Sequence, residues 1–99
     1  MAQATLIVRE RRVDGFGGIL DIKVWRVPAP VSPSEHEYKY SLYYGRDGKR
    51  VVGFDNERGK GDHMHVGGQE RSYAFTTLEK LLKDFFIEVQ AWENDHGQP

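Results

Sequence analysis

The sequence predicts an α+β domain: an antiparallel meander of four to five strands with one C-terminal amphipathic helix packed on one face. Three observations predict it. Apolar and polar residues alternate with period two in two separate stretches, as half-buried strands require. An Asp-Gly pair, Asp47-Gly48, stands between two strand-like runs, where a tight hairpin turn would place it. Beyond Thr76 the period changes to that of a helix with one apolar stripe. Strands followed by a helix at one end of the chain is the α+β pattern.

The first strand spans Thr5 to Val13 and opens on β-branched residues. Asp14-Gly15-Phe16-Gly17-Gly18 makes a turn. Ile19 to Val27 forms the second strand, with Leu20, Ile22 and Val24 alternating with Asp21 and Lys23. Pro28, Pro30 and Pro33 interrupt pairing, because proline has no N–H to donate, so an extended loop runs through Ser34. Glu37 to Tyr44 is the third strand. Tyr38, Tyr40, Leu42 and Tyr44 share one face, and Lys39, Ser41 and Tyr43 the other. Arg50 to Asp55 returns as the fourth strand. Asn56 to Gly68 is rich in glycine, shows no periodicity and reads as a long functional loop. Arg71 to Phe75 offers a short fifth strand. Thr76-x-x-Glu79 is a capping box. Leu78, Leu81, Leu82, Phe85, Phe86, Val89 and Trp92 form the apolar stripe of the helix. Residues 94–99 are expected to fray.

Ninety-nine residues make a single domain, residues 1–99. A chain of that size buries only about two-thirds of its unfolded surface, so an open groove or sheet face suits it better than a deep cavity. It holds no cysteine, which excludes disulfides, a thiolate nucleophile and a cysteine-type zinc site. No signal peptide is apparent at the start and no apolar run is long enough to span a membrane. These features predict a cytoplasmic protein. Net charge is −1, but it is unevenly spread. Arg46 to Lys60 holds five basic residues against three acidic, and Thr77 to Asp95 two basic against five acidic. A basic middle suits an anionic partner.

Chemistry-bearing residues concentrate between Gly53 and Gly68. Asp55, Asn56, Arg58, Lys60, His63 and His65 supply a carboxylate, an amide, two cations and two imidazoles. In an extended segment His63 and His65 point the same way. They could hold a metal, with Asp55 or Asp62 as third ligand. They could instead work as acid and base near neutral pH. Metal-free RNA cleavage needs a base for the 2′-hydroxyl, an acid for the leaving oxygen and a cation for the phosphate. On that reading Asp55, His63 and His65 are catalytic, and Asn56, Arg58 and Lys60 bind substrate. The bland alternative is a polar loop stabilised by Asp55 and Asn56. His-x-His with one carboxylate is an incomplete ligand set, so neither a stoichiometric metal nor another cofactor is expected. Gly15-x-Gly17-Gly18 lacks the following helix of a dinucleotide site. The four tyrosines from Tyr38 to Tyr44 could stack bases, although tyrosines in a strand are more often half-buried packing with a wet hydroxyl. No Gly-x-Ser-x-Gly, P-loop or His-Glu-x-x-His occurs.

Several of these residues resemble the TumE-type toxins of bacterial toxin–antitoxin modules. The resemblance runs through Tyr38-Lys39-Tyr40-Ser41-Leu42, Gly53-Phe54-Asp55-Asn56, His63-x-His65, Tyr73-x-Phe75 and Leu81-Leu82-x-Asp84-Phe85, covering roughly Tyr38 to Val89. It implies a small cytoplasmic toxin neutralised by a helix-turn-helix antitoxin, with Asp55, Asn56, His63 and His65 as the matching polar positions. Relatives carry further histidines where Glu57 and Asp62 stand here, which counts against a metal. The expected function is therefore the toxin component of such a module, acting as a metal-independent ribonuclease through His63 and His65 with RNA as substrate. The alternatives are a non-catalytic module binding protein or nucleic acid, and a metal-dependent hydrolase.

Overall fold

The computed structural model describes residues 3–15 and 17–96. Within them the chain forms six strands and one helix, arranged as α+β. The strands are β1 (Thr5–Val13), β2 (Gly18–Arg26), β3 (Tyr38–Arg46), β4 (Lys49–Glu57), β5 (Gly61–Val66) and β6 (Gln69–Ser72), and the helix is α1 (Leu78–Asp95). The sheet order is β1-β2-β3-β4-β5-β6, and every neighbouring pair is antiparallel. Each strand thus pairs with the next in the chain, the simplest meander.

The expected four to five strands become six, because the segment expected to be a loop folds as a strand. Gly67 and Gly68 have φ of 58° and 84°. Two consecutive left-handed residues joining Val66 to Gln69 make the tight turn whose twist matches its strands. Asp47 and Gly48 do the same between β3 and β4, at φ 53° and 78°. The glycines after Asp55 therefore punctuate two hairpins rather than fill one loop. The last strand is Gln69–Ser72 instead of Arg71–Phe75 for the same reason, since a two-residue turn starts it at Gln69.

The helix cap also moves by one residue. Thr77 Oγ1, not Thr76, accepts a hydrogen bond from the Lys80 backbone N–H at 3.1 Å. Glu79 still lies in the first turn, where a carboxylate is favoured by the helix dipole. Helical structure runs on through Asn94 and Asp95, and residues 97–99 lie outside the described part.

Leu81, Phe85 and Val89 of the helix are buried together with Leu20, Ile22, Val24, Tyr40, Leu42, Tyr44, Val52, Phe54 and Met64 of the sheet. Leu78, Leu82 and Trp92 pack at the margin of this core. Phe86 is 38% exposed and lies outside it, so the stripe is narrower than its spacing suggests. The register sets the other face of the sheet. Residues opposite one another share a face, so Arg9, Arg11, Asp21, Lys23, Ser41, Tyr43, Asp55, His63, His65 and Glu70 all project away from the helix side. Among the described residues no helix is long and apolar enough to cross a membrane.

Candidate functional site

Three strand registers build the site. Asp55 of β4 lies opposite His63 of β5, Gly53 opposite His65, and His65 opposite Glu70 of β6. Directly opposed side chains approach to roughly 5 Å at Cβ. Asp55, His63, His65 and Glu70 therefore converge on the helix-free face. His63 Nε2 lies 2.5 Å from Asp55 Oδ1 and 3.4 Å from Glu70 Oε2. His65 Nε2 lies 3.3 Å from the same glutamate oxygen. The two imidazoles meet edge to face at 5.3 Å.

The ring nitrogens are oriented by groups outside the cluster. His63 Nδ1 donates to the Gly61 carbonyl at 3.0 Å. Arg50 Nη2 donates to His65 Nδ1 at 2.9 Å. Gly53 makes that reach possible, because a Cβ there would stand 2.8 Å from Arg50 Cδ. Burial first, and then the Arg50 charge, pull the His65 pKa below its ordinary value. Lys60 Nζ sits 3.3 Å from Glu70 Oε2 and holds that carboxylate below its usual range.

Of the residues singled out from sequence, Asp55, His63, His65 and Lys60 come together. Arg58 lies exposed on the turn after β4. Asn56 is the correction. It is fully buried and points to the helix side of the sheet, away from the cluster. Its Oδ1 accepts from the Tyr40 backbone N–H at 2.9 Å, and its Nδ2 donates to the Tyr38 carbonyl and to Ser34 Oγ. A side chain engaged in this way pins the proline-rich loop and β3 to β4. Asp62 is likewise on the other face, engaged by His36 at 2.7 Å and the Tyr40 hydroxyl at 2.8 Å, so it cannot be a third ligand beside His63 and His65. Asn56→Ala is expected to lower stability by about 1–3 kcal/mol, because it strands the buried Tyr40 N–H. Urea denaturation checks this, and unchanged stability would return Asn56 to the functional list.

Two members were missed from sequence, Arg50 and Glu70. A Gly-Gly hairpin reading would have found Glu70, since a two-residue turn at Gly67-Gly68 dictates that residue 65 faces residue 70. Also missed was a shallow groove of about 410 Å³ lined by Arg11, Ile19, Asp21, Lys23, Ser41 and Tyr43. It adjoins the cluster, because Ser41 is the β3 neighbour of Asp55. Asp21 pairs with both Arg9 and Arg11, at 2.7 and 3.2 Å. Lys23 adds a further cation beside them.

The family model described as Toxin TumE matches residues 3–93 of the 99. The match takes in β1 and β2, which the sequence resemblance did not reach. No curated protein and no solved structure shows significant similarity.

Proposed function

Because the chain belongs to the TumE toxin family, and so is a toxin component with an antitoxin partner, we propose that it acts by cleaving RNA at the cluster of Asp55, His63 and His65. The observation that carries this reading is the placement of the cluster on the helix-free face, beside Lys60 and Arg50 and continuous with a groove bearing Arg11 and Lys23. A phosphodiester backbone carries one charge per nucleotide and is held by such cations. The helix on the far side carries Glu79, Asp84, Glu88, Glu93 and Asp95, which would repel it. Tyr43 in the groove offers a ring on which a base can stack.

The chemistry needs a base for the 2′-hydroxyl, an acid for the leaving 5′-oxygen and positive charge at the phosphate. His65 is the more accessible imidazole, at 16% side-chain exposure against 7% for His63, and is the one a substrate reaches first. Asp55 stands against His63, whose ring the Gly61 carbonyl orients. Lys60 and Arg50 supply the charge. The acidic helix is the surface that suits a basic helix-turn-helix antitoxin, leaving the basic face for RNA.

The test is expression in a bacterial host with and without the neighbouring antitoxin gene, following growth and RNA integrity together. Growth arrest with fragmented RNA, both relieved by the antitoxin, is the expected result. Arrest with intact RNA would move the target elsewhere and favour the non-catalytic binding module.

A further inference from the structure

The contact between Asp55 and His63 is not a hydrogen bond. His63 Nδ1 faces the Gly61 carbonyl at 3.0 Å, and a carbonyl only accepts, so the neutral ring donates there and leaves a bare lone pair on Nε2. The nearest partner of that nitrogen is Asp55 Oδ1, at 2.5 Å, in a ring only 7% exposed. Oδ1 is buried and takes part in no hydrogen bond. Two electron-rich atoms pressed together repel, and a buried carboxylate oxygen without a hydrogen bond is costly in itself, although the Asp55 side chain as a whole is 29% exposed. A proton on Nε2 relieves this by making the contact an ion pair, and a metal ion between them relieves it by binding both atoms. Ligands of one ion converge on the ion and sit off each other's axes.

We propose that the cluster binds one zinc ion through His63 Nε2, His65 Nε2 and the carboxylates of Asp55 and Glu70. The candidate atoms of Asp55, His63 and His65 all lie within 4.8 Å of one another. Glu70 Oε2 stands 3.4 and 3.3 Å from the two imidazole nitrogens. Two atoms bound to one tetrahedral zinc at ordinary bond lengths are about 3.3–3.6 Å apart. Asp55 must retreat by about 1 Å to reach that spacing from His63. The Gly61 carbonyl already supplies the outer hydrogen bond that orients a metal-binding imidazole. Two nitrogens with two oxygens favour zinc over magnesium or calcium, which take oxygen. The sequence showed one carboxylate beside His-x-His, an incomplete set; the fold adds Glu70. Zinc in this position would put positive charge where a phosphate must sit, and the imidazoles would then hold the ion instead of carrying protons.

Two present contacts must give way. Ligation through His65 Nε2 places the ring proton on Nδ1, where Arg50 now donates, so Arg50 has to swing aside. Lys60 has to release Glu70. Both cations are exposed and able to move. Zinc and Arg50 thus compete for His65.

The experiment is calorimetric titration of the chelator-treated full chain with zinc chloride, without RNA, beside thermal unfolding with and without zinc. One zinc per chain and a raised Tm are expected. Asp55→Asn and Glu70→Gln should each weaken binding by at least roughly 10–100-fold, the loss that changes even outside the ligand shell produce. Arg50→Ala should tighten it, and His96→Ala, at the far end of the helix, should leave it unchanged. Failure of the folded chain to bind zinc, or binding indifferent to both Asp55→Asn and Glu70→Gln, overturns the proposal. The measurement needs no nuclease activity. A chain that binds zinc but spares RNA keeps this site and loses only the ribonuclease reading.

Discussion

Phe85→Ala is expected to lower the stability of the folded chain by about 3–5 kcal/mol, the usual cost of emptying a buried phenylalanine site. Phe85 is wholly buried and stands edge-on to Phe54 of β4, with ring centroids 5.8 Å apart and planes at 88°. Leu81 and Val89, one turn to either side, complete the strip by which the helix holds to the sheet. Removing the ring loses its transfer energy, the aromatic pair and the packing of the turns around it, and a rigid sheet cannot collapse to fill the space. Small domains are stable by about 5–15 kcal/mol, so this one change removes a large share of the total. Urea denaturation followed by circular dichroism gives the number directly. A loss below about 1 kcal/mol would mean that the helix is not the lid of this core.

The same residues show why so much of the fold is legible in the chain. Leu81, Phe85 and Val89 recur at helical spacing, and Leu20, Ile22 and Val24 alternate with polar neighbours, because one face of each element meets water. Those patterns survive in the sequence wherever burial is one-sided. β5 escapes the rule. Its outward positions are His63 and His65, and its inward ones are Asp62, Met64 and Val66, of which Asp62 is polar but satisfied by His36 and Tyr40. Polar residues on both faces erase the alternation, and the strand looks like loop. The glycines on either side strengthened that impression, although Gly67-Gly68 is the very pair a tight hairpin demands.

The site was legible in its residue types and hidden in its partners. His63 and His65 share a face by strand geometry alone, so their convergence with Asp55 needed only the β4–β5 register. Asn56 misled because an amide beside an aspartate looks the same whether it faces solvent or a buried backbone. One residue of strand alternation decides between them, and it sends Asn56 into the core and Asp55 to the open face. Glu70 and Arg50 were invisible without cross-strand pairing, since each lies on a different strand from the histidine it touches.

If the chain cleaves RNA as proposed, replacing His65 is expected to slow that cleavage by roughly 10²–10⁴-fold, the range for losing a positioned proton-transfer group, while leaving the fold intact. His65 is on the open face and is 16% exposed, so its removal leaves no closed cavity in the core. His63 is a poorer probe, being 7% exposed and bonded to the Gly61 carbonyl. The informative comparison is His65→Ala against His65→Gln, with circular dichroism as the folding check and both growth arrest and RNA cleavage as readouts. Glutamine keeps a side chain of similar reach and can still hydrogen-bond Arg50 or Glu70. It does not titrate near neutral pH, and its amide is a poor substitute for imidazole on a transition metal. Whether His65 moves a proton or holds a cation, both variants should therefore be equally inactive and equally harmless to the host. A non-catalytic binding surface behaves differently: glutamine would preserve most of the contact, and losses would be spread over the groove residues Arg11, Lys23 and Tyr43 with no special place for an imidazole. A His65→Gln chain as toxic as the parent would end the catalytic reading of this cluster and leave the basic face as a docking surface.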